Sequence, residues 1–261
     1  MLSFYKYQGT GNDFILIDNR LKHFSKEASI IEKLCDRRFG IGADGLICLE
    51  TSSDPNYDFR MVYFNADGFE GSMCGNGGRC LVRFAHDLGI IQDSTTFLAV
   101  DGPHEAQVTA DNIHLKMSDV TNVEQFEHYD FLNTGSPHYV AIKNDLSNVD
   151  VTGEGSMIRY SPEWVEKGGT NVNFMEVLAP NHLYVRTYER GVEDETYSCG
   201  TGVTACAISS FFRLNWTSPI AVKTKGGDLQ ISFQSNESKN TFSHIYLIGP
   251  AQRVFVGQIE V

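Results

Sequence analysis

GSMCGNGGRCLVRFA, from Gly71 to Ala85, and TYSCGTGVTACAISSF, from Thr196 to Phe211, each open with Cys-Gly-x-Gly and run on into an apolar stretch. The two cysteines are offset by 199 − 74 = 125 positions. Other landmarks keep nearly that register. Thr10-Gly11 meets Thr134-Gly135 at 134 − 10 = 124, Tyr63 meets Tyr188, and Gly102 meets Gly227 at 227 − 102 = 125. Several matches in one register indicate a duplicated chain, and the period is far longer than that of a solenoid.

The expected fold class is therefore α/β (α+β): two pseudo-symmetric lobes, each a mostly antiparallel β structure around a central helix. The lobes are expected at 1–119 and 120–249. Alternating runs such as DFRMVYFN (58–65), IHLKM (113–117) and HLYVRTYE (182–189) read as strands separated by Gly, Asn and Asp turns. The central helices are expected just after the Cys-Gly motifs, over CLVRFAHDLG with Gly89 as its stop and over ACAISSFFRLN. A further amphipathic helix is expected over KEASIIEKLCDRR behind Ser25 as N-cap, with Ile30, Ile31, Leu34 and Cys35 on one face.

The 261 residues suit two domains of roughly 150 residues or fewer. A content of 41% hydrophobic and 21% charged residues excludes a disordered or fibrous chain. The net charge of −12 repels a phosphate backbone, so nucleic acid is not an expected partner. MLSFYKYQGTGNDF lacks the basic and apolar segments of a signal peptide, and no stretch approaches the roughly 18 apolar residues of a membrane span. A soluble, cytoplasmic protein with no membrane partner is expected.

In a reducing compartment the six cysteines are expected as free thiols. The spacings Cys74 to Cys80 and Cys199 to Cys206 exceed the gap of a structural zinc knuckle, so no metal is expected. Cys35, Cys48, Cys80 and Cys206 read as small core residues. Cys74 and Cys199 differ, because a thiol where a Gly-rich loop enters a helix feels the positive end of the dipole, which lowers its pKa. The first-turn N–H groups of Gly75, Asn76, Gly200 and Thr201 suit a carboxylate. Two such thiols in equivalent lobes can serve as base and acid on opposite faces of one α-carbon, with the clamped carboxylate offsetting developing negative charge. A P-loop is disfavoured, since no Lys-Ser/Thr follows the glycines.

The sequence resembles the diaminopimelate epimerase family nearly end to end. The motifs are KYQGTGNDFILID (Lys6 to Asp18), FGIGADGL (Phe39 to Leu46), FNADGFEGSMCGNGGRC (Phe64 to Cys80), TGSPHYV (Thr134 to Val140), NVNFM (Asn171 to Met175), YERGVEDETYSCGTG (Tyr188 to Gly202) and GPAQRVFVG near the end. The resemblance implies conversion of LL-diaminopimelate to the meso form for lysine and peptidoglycan precursors, with no cofactor, neither pyridoxal phosphate nor metal. It also implies that a last strand within 250–261 returns to the N-terminal lobe.

Carried over by motif, Cys74 and Cys199 are the acid–base pair, and His138 and Glu189 tune the thiols. Asn12, Asn65, Asn171, Glu189 and Arg190 bind the ammonium and carboxylate groups, and Gly75, Asn76, Gly200 and Thr201 hold the reacting carboxylate. His138, between Gly135 and a strand-like run, reads equally as a loop cap. The adjacent Glu189 and Arg190 point to opposite faces of a strand. Two departures bear on substrate choice: the family often has Gln where Gly45 stands and Asn where Ser136 stands, so neither residue is expected to bind substrate. The alternatives are a cofactor-independent racemase or isomerase for another amino acid, such as proline racemase or the phenazine-pathway isomerase, and a noncatalytic thiol or metal module. A guanidinium at Arg190 favours a substrate with a second carboxylate. The expected partner is a small amino acid; a homodimer is compatible with a sequence that fixes no oligomeric state.

Overall fold

The computed structural model describes residues 1–236 and 240–260. Residues 237–239 and 261, the last of them in the segment 250–261 expected to return, lie outside the described residues. The chain divides into two compact units, one of Met1–Leu115 with the segment from Gly249, the other Lys116–Ile248.

In the first unit, β1 (Leu2–Gly9) and β2 (Asn12–Asp18) form a hairpin around Thr10 and Gly11, both at positive φ. Such a two-residue turn matches the right-handed twist of the strands it joins. Helix α1 (Ala28–Cys35) carries the chain to β3 (Gly45–Glu50), parallel to β2, and β4 (Arg60–Asn65) returns antiparallel to β3. Helix α2 (Gly75–Asp87) leads to β5 (Ser94–Ala99), parallel to β4, then β6 (Gly102–Val108) and β7 (Ile113–Lys116) in antiparallel order. Helices occupy the two parallel crossovers because a parallel return needs a long connection.

The second unit repeats this order. Strands β8 (Val123–Gln125), β9 (Asp130–Asn133) and β10 (Pro137–Ile142) are antiparallel, followed by α3 (Val151–Arg159), α4 (Pro162–Glu166) and β11 (Asn171–Ala179), parallel to β10. Then β12 (His182–Glu189) runs antiparallel to β11, β13 (Asp194–Thr196) turns back, and α5 (Gly200–Leu214) leads to β14 (Ile220–Thr224), parallel to β12. Strands β15 (Gly227–Asn236) and β16 (Thr241–Gly249) close the order. The final strand, β17 (Gln252–Ile259), pairs antiparallel with β1, the place that β8 holds beside β9. Each unit is thus mostly antiparallel, with helices in its parallel crossovers.

Burial explains the strand patterns. Strand β12 alternates, as a half-covered strand does, whereas every residue of β3 is buried because α1 and α2 both contact it. Helix α2 is buried from Gly75 to Val82 and touches β1, β2, β3, β6 and β17; α5 touches β9 to β12, β14 and β15. The polar side chains that α5 buries are satisfied: Thr204 donates to Gly200 O, Ser210 to Ala207 O and Ser209 to Asp130, which Arg213 pairs at 2.6 Å.

Two local expectations are corrected. The central helices begin at Gly75 and Gly200, with the cysteines as N-caps, so the glycines belong to the first turn and not to a preceding loop. Glu27 and not Ser25 is the N-cap of α1; Ser25 instead hydrogen-bonds the Glu27 carboxylate, and no side chain caps the helix. Its apolar face is as read, with Ile31, Leu34 and Cys35 buried and Ile30 packed beside them. Helices α3 and α4 were not expected. Asp150 caps α3 by accepting from Gly153 N, and Ser161-Pro162 opens α4. Among the described residues no helix is long and apolar enough to cross a membrane.

Candidate active site

Cys74 caps α2 in an extended conformation, φ −98° and ψ 128°, and its carbonyl accepts from Gly78 N at 2.7 Å. Its side chain makes no cap bond to the first turn. The thiol donates to Asn12 Oδ1 at 3.6 Å, and Asn76 Nδ2 donates to the same oxygen at 3.4 Å. The other end of the Asn12 amide donates to Asp44 Oδ2 at 2.5 Å. Asp44 also accepts from Asp13 N and pairs with Arg37 at 2.7 Å.

Behind Asp44 lies a charged group that the sequence reading did not single out. Lys6 is buried, donates to Gly42 O and pairs with Asp13 at 2.7 Å; Arg37 pairs with Asp13 at 2.6 Å. Burial pushes the Asp13 carboxyl up, but hydrogen bonds from Arg37 and Lys6 outweigh it and hold the group at about 2. Arg79, fully buried, donates to Thr10 Oγ1 at 3.1 Å and to Gly75 O at 3.5 Å. Burial lowers its pKa, and the Cys80 and Cys74 sulfurs oppose that shift.

Asn65 is exposed at the end of β4, where its backbone closes a turn with Gly68 and Phe69. Gly45 starts β3 directly under Tyr63: a Cβ there would lie 2.6 Å from Tyr63 Cε2 and from Phe64 O. The Tyr63 ring fills the space in which a longer side chain at 45 would begin.

Cys199 caps α5 in the same extended way, φ −113° and ψ 111°, with its carbonyl accepting from Val203 N at 2.9 Å. Its Sγ lies 3.5 Å from Thr201 Oγ1. Thr201 occupies the repeat position of Asn76, 76 + 125 = 201, so each unit sets a polar side chain two residues past its thiol. Thr201 Oγ1 is 3.2 Å from Ser136 Oγ, which is 2.9 Å from His138 Nε2. His138 is fully buried, and its Nδ1 faces Asn173 Nδ2 at 3.0 Å. Burial, reinforced by the Arg190 charge, depresses the His138 pKa to about 3, so the imidazole is neutral near pH 7. Its hydrogen-bond partners are Ser136 and Asn173.

The remaining expected residues cluster around this frame. Asn171 is buried; its Nδ2 donates to Pro137 O at 2.9 Å and Ser136 Oγ at 3.2 Å, and its Oδ1 accepts from Arg190 N at 2.9 Å. Glu189 accepts from Thr196 Oγ1 at 3.0 Å. The Arg190 side chain is exposed and reaches Gly168 O at 3.1 Å. Gly202 must be glycine, since a Cβ would sit 2.3 Å from Asn173 Oδ1 and 3.3 Å from Cys199 Sγ. Sequence reasoning missed Asn173, Asp44, Asp13 and Arg79, and it set Ser136 aside. All five lie within the quoted motifs or one residue of a named position, but their importance is a matter of contacts.

The other four cysteines are free and buried. Burial raises the thiols of Cys35 and Cys80 to about 12 and pushes those of Cys48 and Cys206 well above their ordinary range. Among the described residues no three His, Cys, Asp or Glu side chains are grouped to hold a metal ion.

Solved structures with this fold include a phenazine biosynthesis protein of the PhzF family from Bacillus anthracis (TM-score 0.78, 14% identity, 100% of this chain and 99% of that one). Another is a hydroxyproline epimerase from Agrobacterium vitis (TM-score 0.70, 12% identity, 99% and 92%). Those likenesses concern the fold alone. In sequence, the chain is 53% identical to the diaminopimelate epimerase of Flavobacterium psychrophilum, covering 97% of this chain and 98% of that one. It is 48% identical to that of Chlorobaculum tepidum, covering 97% and 99%. The family model described as diaminopimelate epimerase matches residues 4–123 and 131–254, spanning both helix-capping cysteines. The chain belongs to the diaminopimelate epimerase family and is an isomerase.

Proposed function

We propose that this protein inverts one α-carbon of LL-diaminopimelate to give the meso form, in the cytoplasm and with no added cofactor, using Cys74 and Cys199 as the acid–base pair. The observation that carries the reading is that each repeated unit places a cysteine at the N-cap of its central helix. A thiolate at one cap takes the α-proton as the C–H bond breaks, and the electron pair stays on carbon, delocalised into the adjacent carboxylate. The other thiol gives its proton to the opposite face. The enzyme ends with the protonation states of its two sulfurs exchanged, and protons from solvent reset them. The first-turn N–H groups of both helices stabilise the charge that develops on the carboxylate.

The test is epimerisation in heavy water. Product formed early should carry deuterium at the inverted carbon while recovered substrate carries little, because separate groups remove and deliver the proton. Cys74→Ala and Cys199→Ala should each abolish inversion. Product that retained the substrate hydrogen, or near-normal turnover by either variant, would refute the two-thiol reading. A substrate panel that includes proline distinguishes diaminopimelate from a simpler amino acid.

A further inference from the structure

We propose that Ser136 is a positioning residue that, with Thr201, carries a one-way chain of hydrogen bonds from His138 to Cys199 and thereby holds Cys199 ready as the base. The role rests on the two-thiol reading above, and the chain itself rests on two asparagine amides whose orientation backbone groups fix.

Two asparagines set the direction. Asn173 must turn its Nδ2 toward Tyr139 O, 2.9 Å away, because its Oδ1 would meet that carbonyl lone pair to lone pair. Its Oδ1 accepts from Thr187 Oγ1 at 2.9 Å, which suits the same orientation. His138 Nδ1, which faces the same Nδ2, is therefore an acceptor. The ring is neutral, so its single proton lies on Nε2 and is donated to Ser136 Oγ. Asn171 is fixed likewise, with Nδ2 on Pro137 O and Oδ1 on Arg190 N, and it too donates to Ser136 Oγ.

A hydroxyl oxygen has two lone pairs and one proton. Both lone pairs of Ser136 Oγ receive N–H donors, so its proton points to Thr201 Oγ1. Thr201 accepts there and directs its own proton to Cys199 Sγ, 3.5 Å away. Every link leaves the sulfur as acceptor, and a hydrogen bond that the thiolate accepts favours the charged form.

Three titratable groups lie on or beside the elements that carry the chain. Cys206 on α5 stays a thiol because burial pushes it far up, and Arg190, after β12, reinforces the neutral state of His138. Glu189 ends β12 and is engaged by Thr196. On the Cys74 side the polarity is opposite: Asn12 offers the sulfur an acceptor, which suits the protonated thiol. The two cysteines are thus prepared differently, Cys199 as thiolate and Cys74 as thiol.

The experiment is peptide-resolved alkylation of the intact protein by iodoacetamide across pH, for wild type, Ser136→Ala, Ser136→Thr and Thr201→Val. Ser136→Ala and Thr201→Val should move the Cys199 midpoint up by about one pH unit, a tenfold slower reaction below it, with Cys74 unmoved. Ser136→Thr keeps a hydroxyl and should retain the wild-type Cys199 midpoint. An unchanged Cys199 midpoint in both hydroxyl-deleted variants would overturn the proposal, as would equal shifts at both cysteines. Alkylation reads the thiol without turnover. A Cys199-specific shift in a protein that does not invert diaminopimelate would sink the functional reading and leave the chain standing.

Discussion

Cys74 donates its thiol proton to Asn12 Oδ1 across 3.6 Å, and the amide presents that oxygen because Asp44 holds its nitrogen at 2.5 Å. Without the carboxylate only the longer contact from Asn76 Nδ2, at 3.4 Å, favours this orientation of the amide. Asp44→Ala should therefore lower kcat/KM about tenfold, the value of one lost charge-assisted hydrogen bond. Arg37→Gln removes a largely exposed partner of Asp44 but leaves the Asp44–Asn12 bond, and should change kcat/KM by no more than about threefold. Steady-state kinetics of both variants check the pair, and equal losses would show that the salt bridges rather than the amide matter.

Acid should weaken the fold through His138. Its folded pKa, about 3, lies below the ordinary 6.5, so between these values the unfolded chain binds a proton that the folded chain refuses. Stability from this group is complete above about pH 6.5 and falls as the solution is acidified, by about 2 kcal/mol at pH 5 relative to pH 7. His138→Asn removes the titration. Urea unfolding at pH 7 and pH 5 should show a smaller pH effect in the variant than in wild type; an identical difference would mean that His138 titrates normally.

Gly202→Ala should be strongly destabilising despite adding one methyl. The new Cβ would fall 2.3 Å from Asn173 Oδ1, whose amide is pinned by Tyr139 O and Thr187 and cannot swing away. Either α5 shifts or the His138 frame breaks, at a cost of about 3 kcal/mol. Thermal unfolding measures the loss, and a variant with wild-type stability would show that the first turn has room the geometry denies.

Arg190→Lys tests the substrate assignment. The exposed guanidinium is proposed to grip a distal carboxylate with two parallel N–H groups, which an ammonium cannot reproduce. KM for diaminopimelate should rise about tenfold or more with a smaller effect on kcat, since the distal group does not react. Unchanged kinetics would remove the argument for a dicarboxylate substrate.

Much of this protein is determined by the sequence alone. The 125-residue echo reflects local constraints repeated twice: a thiol before glycines, an apolar helix and alternating strands. Such patterns depend on neighbours along the chain, so β12 is visible from its alternation, and α2 and α5 from the glycines and apolar runs behind their cysteines. The seven motifs extend that reading to the family.

Other features were decided only by tertiary structure. Strand β3 does not alternate because helices cover both its faces, a fact about packing that its six residues do not encode. Whether Asn171 binds a ligand or a frame depends on Pro137 O and Arg190 N, the latter 19 residues away in the chain. Ser136 looked like a lost contact, yet it meets His138, Asn171 and Thr201 at one oxygen. Hydrogen bonds are short-ranged and directional, so the proton order around Cys199 is fixed only once residues from four separate stretches meet in successive contacts of 3.5 Å or less.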